Sequence, residues 1–328
     1  MHALPTSLFL ATLFLAQTVQ AATPQFALPI RCTPGQDCFI QNYYDHDPGP
    51  GWKDYACGHL SYDGHTGTDF RLPGIKAMQQ GIAVLAAADG VVAGLRDGMP
   101  DIPELTRPGE PETGKHAAGN GVRIDHGGGW ETQYSHMRKG SVAVHPGQKV
   151  RTGDVLGLVG LSGNTEFPHV DFTVRHNGKS LDPFSPSDTV TECAAGKETL
   201  WTHEALRSLR YIPTGLLMTG WSAEVPDWNK AENDDEPQPV ISSSALVFWV
   251  QVFGIQKNDL QRFELFDPSG NLMLKSDTAI SVDKAFWSAF AGKRRTSKAW
   301  QTGKYLAHYR LERYGVTVID ITKQMEMN

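Results

Sequence analysis

Hydrophobic and polar positions alternate over short stretches along most of the chain, and long helical periodicities are scarce. After an irregular segment reaching about Ser61, β-type runs follow one another: "IAVLAAADGVVAGL", "GVRIDHG", "WETQYSHM", "SVAVHPGQKVRTGDVLGLVG" and "HVDFTVRHNGK". Gly, Asp or Pro bounds each run, the turn chemistry that joins strands of an antiparallel sheet. In "HPGQKVRTGD" two turn signals flank a three-residue bridge, which predicts tight strand reversals. Residues 97–119 break the pattern with a long, Pro-rich polar stretch, read as a wall or lid beside a cleft or as a solvated loop.

Residues from about Lys197 to Arg210 predict a short helix, and "EVPDWNKAENDDEPQP" reads as an exposed acidic linker or loop. Beyond it, "ALVFWVQVFG", "RFELFDPSGNLMLKS" and "GKYLAHYRLERYGVTVIDIT" are strand runs, the last two broken by hairpin turns. They predict a second, all-β sandwich from about Gly215 onward, with its aromatic residues in the core. The fold class expected is therefore all-β throughout.

The first residues change the picture of where the chain works. An apolar run from Ala3 to Ala16 precedes Val19 and Ala21, the small side chains of a cleavage site. The run is short for a membrane span, so a removable export signal over 1–21 is expected rather than a retained anchor. The mature protein is then exported, periplasmic or secreted, without stable membrane insertion. All four cysteines (Cys32, Cys38, Cys57, Cys193) lie beyond that segment, and an even count in an exported chain suggests disulfides. "CTPGQDC" predicts a small loop closed by Cys32 and Cys38, leaving Cys57 and Cys193 as a long-range pair. A cysteine zinc site is disfavoured, because no second close pair is present. The net charge of −6 over 328 residues offers no basic tract for nucleic acid.

Three short motifs carry candidate chemistry. "HTGTD" places His65 and Asp69 around small residues that let the chain bend until both side chains converge. "YSHM" puts Tyr134 and His136 on one face of an expected strand, and "PHVDF" does the same for His169 and Asp171. Imidazoles and a carboxylate brought together are typical zinc ligands, and catalytic zinc sites use three protein ligands plus water.

In this order, with the strand-and-turn text around them, the motifs resemble the M23 family of zinc metallopeptidases, the lysostaphin- and LytM-like cell-wall hydrolases. The resemblance runs from about Asp63 to Phe184. It implies an antiparallel, duplicated hybrid motif-like domain over 62–196. A disulfide-containing segment (22–61) precedes that domain, and a connecting helix or linker (197–214) and the sandwich (215–328) follow it. It also implies that His65 and Asp69 bind zinc, that His136 is a catalytic histidine near the attacking water, and that His169 is a second catalytic or transition-state-stabilising residue. The family's third zinc ligand is the last His of a His-x-His motif, and this chain has Asp171 there. The implied activity is hydrolysis of peptide bonds in peptidoglycan stem peptides or cross-bridges. The alternative is a catalytically impaired relative that binds peptidoglycan or activates a partner hydrolase.

Asp171 sharpens the chemistry. Carboxylate oxygen binds zinc at a distance similar to imidazole nitrogen, but a second carboxylate cancels the ion's remaining charge. A less positive metal acidifies water less, and harder ligands shift preference toward ions such as Mn²⁺. Hairpins such as "VHPGQKVRTGDVLGLVG" are also similar to lipoyl and biotinyl carrier folds. The export signal and the His65/Asp69 motif argue against a carrier.

Overall fold

The computed structural model describes residues 23–109, 113–186 and 198–328. The export signal expected over 1–21 and Cys193 of the second expected disulfide lie outside the described residues. Cys32 and Cys38 are bonded to each other, as the spacing predicted, and among the described residues no cysteine is free. No helix of the described residues is long and apolar enough to cross a membrane.

The first ten strands are β1 (Phe39–Asn42), β2 (Thr68–Arg71), β3 (Ala83–Leu85), β4 (Gly90–Arg96), β5 (Asn120–Gly127), β6 (Trp130–Met137), β7 (Lys149–Val150), β8 (Val155–Leu158), β9 (His169–His176) and β10 (Lys179–Leu181). Eight of them form one antiparallel sheet in the order β1-β2-β9-β6-β5-β4-β7, with β10 on β9. The other two, β3 and β8, pair with each other.

Period-two alternation decides which face of this sheet does what. On β9 the side chains of Val170, Phe172 and Val174 are fully buried in the core, while His169, Asp171 and Thr173 take the other face. β2 sets Phe70 into that core and Asp69 and Arg71 opposite it. Register completes the arrangement: Asp69 pairs with Asp171, Arg71 with His169, and Ser135 of β6 with Asp171. One polar sheet face therefore carries the chemistry, and one apolar face carries the stability.

The flanking segments join this core. Phe26 and Ile30 before β1 belong to it, as do Met78 of the short helix α1 (Ile75–Gln79) and Leu200, Trp201, Ala205 and Leu209 around a second, α2 (His203–Ser208). Residues 97–119 are pinned as a wall in their described parts. Asp101 accepts from the backbone N–H groups of Leu161 (2.8 Å) and Lys139 (3.0 Å), and Asp97 from that of Gly140 (2.6 Å).

From β11 (Gly215–Ser222) onward the chain forms a sandwich with its own core. β12 (Ala245–Ile255) and β15 (Lys284–Arg294) complete a three-stranded sheet with β11. β13 (Leu260–Phe266), β14 (Leu272–Ala279), β16 (Gly303–Arg313) and β17 (Val316–Met327) form a four-stranded sheet. β12 reads as an almost continuous apolar run because both its faces are covered. Phe248, Val250 and Val252 enter the sandwich core, whereas Phe253 packs against Phe39 of β1 with ring centroids 5.6 Å apart. Gln41 of β1 donates to the backbone carbonyl of Ala285 on β15 (2.8 Å), a second tie between the two cores.

The stretch read as an acidic loop contains a helix, α3 (Trp228–Glu232). Asp227 caps it, accepting from the N–H groups of Asn229 and Lys230, and the helix buries its own Ala231 completely. Five residues are too few to show a helical period, so the segment's acidity dominated its reading.

Candidate metal centre

His65 stands in the loop before β2, and that loop is held from below. Asp45 accepts from the backbone N–H groups of Asp47, Lys53 and Gly64 at 2.9–3.0 Å, shaping the path into His65. The His65 ring then donates from Nδ1 to the carbonyl of Tyr43 (2.8 Å), which turns Nε2 toward Asp69. Tyr62 stacks on the ring with centroids 4.5 Å apart.

Asp69 is fixed by Asn42, whose amide donates to Oδ2 over 2.7 Å. Its Oδ1 lies 3.3 Å from His65 Nε2 and 3.5 Å from His169 Nε2. Both His65 Nε2 and Asp69 Oδ1 are buried and lack a well-formed hydrogen bond. Buried polar atoms left in this way are expensive. Across the β2–β9 ladder, Asp171 brings its carboxylate to the same place. One ligand-capable atom from each of His65, Asp69 and Asp171 lies within 4.8 Å of the others. Gly67 leaves the room for this: a Cβ there would sit 1.8 Å from Asp171 Oδ1. Thr173, two residues along the same face, donates to that oxygen at 3.3 Å.

The donor set and the unpartnered atoms together fit a divalent cation. One ion shared by the three groups accounts for the two unpartnered buried atoms and for two carboxylates side by side. Register sets Asp171 directly opposite Asp69, which brings its carboxylate to the other two groups.

The two remaining histidines face the same point. His136, the penultimate residue of β6, has a φ of +59°, a conformation rare for residues other than Gly. That reversal breaks the expected alternation. Tyr134 lies wholly in the core, its hydroxyl accepting from Ala87 N–H (2.8 Å), while the His136 ring lies tilted against that of His169 with centroids 4.5 Å apart. Tyr134 and His136 thus occupy opposite faces, contrary to the reading of "YSHM". His136 donates from Nδ1 to the Ser162 carbonyl (2.8 Å), and His169 from Nδ1 to the Phe167 carbonyl (2.9 Å) with Thr165 Oγ1 3.1 Å away. All three histidines are therefore anchored through Nδ1, and each presents Nε2 to the site.

Electrostatics separates their roles. Burial, reinforced by neighbouring His169, pushes His136 down to about 4, so it is neutral at pH 7 and able to accept a proton. Burial also lowers His169, against the pull of Asp69. For His65 burial acts downward too, but the negative charge of Asp69, 3.3 Å from Nε2, and that of Asp171 outweigh it, raising the metal-free group to about 9. Burial and the Asp69 charge raise Asp171. Asp69 itself is held well below the usual carboxylate range, because His65 and His169 outweigh the burial that opposes them.

Asn42, Tyr43, Ser162, Thr165 and Phe167 escaped the sequence reading. Most of them act through a backbone carbonyl, which leaves no trace in residue type, and Asn42 sits in an apolar run with no motif around it.

Residues 63–183 match Peptidase family M23. This part of the chain is an M23 peptidase domain. The domain is 36% identical over 121 residues to the DD-carboxypeptidase/endopeptidase Mpg of Neisseria meningitidis, covering 37% of this chain and 22% of that one. It is 30% identical over 135 residues to the peptidoglycan DD-endopeptidase ShyA of Vibrio cholerae, covering 41% and 25%. To the cell division protein DipM of Caulobacter vibrioides it is 30% identical over 130 residues, covering 39% and 18%. The chain spans about a fifth to a quarter of the length of these relatives. Peptidases of the M23 family are metallopeptidases, and the His65–Asp69–Asp171 group is able to bind a metal.

Proposed function

We propose that this protein is an exported zinc endopeptidase that hydrolyses peptide bonds in peptidoglycan stem peptides or cross-bridges, acting in the periplasm or outside the cell. The observation that carries the proposal is the convergence of His65, Asp69 and Asp171 within 4.8 Å, with buried atoms that lack partners. The similarity to ShyA, a peptidoglycan DD-endopeptidase, supports the substrate class.

His65 Nε2 and one oxygen each of Asp69 and Asp171 would hold the ion. When bound, zinc supplies Lewis acidity to the scissile carbonyl and to the attacking water. His136, neutral and with Nε2 turned inward, takes the proton from that water and returns it to the leaving amine. The positive-φ turn and the Ser162 carbonyl keep its lone pair aimed at the site. His169 donates to the developing oxyanion through Nε2 once that nitrogen carries a proton, a form that Asp69 favours and burial opposes. Asn42 and the carbonyls of Tyr43, Ser162 and Phe167 hold these groups still.

The second reading, a catalytically impaired protein that binds peptidoglycan or activates a partner hydrolase, rests on Asp171 alone. Two carboxylates around one ion weaken the activation of water. Digestion of purified peptidoglycan sacculi by the mature, zinc-supplied protein separates the two. Cross-link fragments seen by mass spectrometry, and absent with Asp69→Ala, are the expected result; no fragments from a folded, zinc-supplied protein select the second reading.

A further inference from the structure

Arg71 is a cation buried where charge is costly. It stands on β2 two residues after Asp69, directly across the ladder from His169. Burying a guanidinium costs free energy unless its donors are met. Nη1 donates to Gln41 Oε1 at 3.1 Å. Glu232 Oε1 stands 4.0 Å from Nη2, and among the described residues Nε has no hydrogen-bond partner. Burial accordingly pushes the group down to about 10, against the pull of Glu232. Only 1% exposed, it offers a substrate almost no contact, so any part it plays is taken through a neighbour.

The neighbours are aromatic. The rings of Phe167 and Phe286 close on the guanidinium, with centroids 4.4 and 4.7 Å from its carbon. A planar cation is drawn to such rings, and more strongly once water is excluded. Phe286 belongs to β15 of the sandwich, whereas Phe167 lies two residues before His169, which opens β9. Arg71 therefore joins the sandwich to the segment that leads into His169.

Phe167 decides which His169 nitrogen carries the proton. Its carbonyl accepts from Nδ1 at 2.9 Å, and its ring lies tilted against the imidazole with centroids 4.7 Å apart. A carbonyl only accepts, so this contact requires Nδ1–H and leaves the Nε2 lone pair facing the site. Two groups work the other way. Thr165 Oγ1 donates to the Phe167 carbonyl at 3.0 Å but stands 3.1 Å from Nδ1, to which it can donate instead. Asp69 Oδ1, 3.5 Å from Nε2, attracts a proton on that nitrogen. The tautomer turns on where Phe167 is held.

We propose that Arg71 is a positioning residue for His169. Its guanidinium holds the Phe167 ring, the Phe167 carbonyl holds His169 Nδ1–H, and the C-terminal sandwich closes this chain of contacts through Phe286. The consequence for catalysis rests on the peptidase reading above, yet the test needs neither metal nor turnover. The His169 ring ¹⁵N resonances are recorded in the metal-free full chain labelled with ¹⁵N-histidine and are assigned with His169→Gln. The sample is held at about pH 8, where an ordinary imidazole is neutral. The parent is expected to show the Nδ1–H tautomer. Arg71→Met and Phe286→Leu should each shift the two nitrogens toward the Nε2–H form, Arg71→Met further. Phe290→Leu, on the same strand but with its ring against Trp228, should leave them in place. Phe286 is 36% exposed, so its variant carries the test even where Arg71→Met does not fold. An Nε2–H parent, unmoved resonances in either folded variant, or an equal shift in Phe290→Leu overturns the proposal. An inactive protein in the sacculus assay leaves these resonances unaffected, so failure of one reading is distinguishable from failure of the other.

Discussion

A methyl group at position 67 would lie 1.8 Å from Asp171 Oδ1, so Gly67→Ala has to displace that carboxylate from its place opposite Asp69. The expected outcome is a zinc affinity lower by about tenfold or more, the scale on which misplacing a metal ligand acts, measured by competition with a chromogenic chelator. Asp171→His tests the ligand type rather than its position. Imidazole is the softer donor, so the variant should favour zinc over manganese more strongly than the parent does, read from paired titrations with the two ions. At this scale the sequence was legible where chemistry needs a particular side chain. His65, Asp69, His136, His169 and Asp171 announced themselves by type and spacing. Tyr43, Ser162 and Phe167 did not, because the atom each contributes is a backbone carbonyl that any residue carries.

Elements were readable to the extent that their alternation was unbroken. β9 holds to period two from His169 to Arg175, so the shared face of His169 and Asp171 follows from the sequence alone. β6 leaves that period at His136, and nothing about a non-glycine residue signals a φ of +59° in advance. The same limit applies to α3, whose five residues cannot display a 3.6-residue repeat. Its one local sign is Asp227, the cap that accepts from Asn229 and Lys230 N–H. Asp227→Ala should cost about 1 kcal/mol of local stability. Hydrogen exchange at residues 229–232 should then quicken, while exchange in β9 stays as it was. Equal quickening in both places would show that α3 has no stability of its own to lose.

Across the whole molecule, two apolar cores meet along β12, and the polar face of the larger sheet lies beside that seam. The all-β class and the sandwich from Gly215 follow from patterning, since turn signals and alternation are local properties. How the two halves meet does not, because Phe253 on Phe39, Gln41 on Ala285 and Phe286 on Arg71 are contacts between residues far apart in sequence. On that polar face His65, Asp69 and Asp171 converge as candidate metal ligands, and the central claim is that Asp171 is one of the ligands. Calorimetric titration of zinc into the metal-stripped full chain, alongside Asp171→Ala, tests it most directly. The account predicts one ion per chain and an affinity that falls by more than about a hundredfold in the variant. Equal zinc binding by both proteins, or none by the parent, would contradict it.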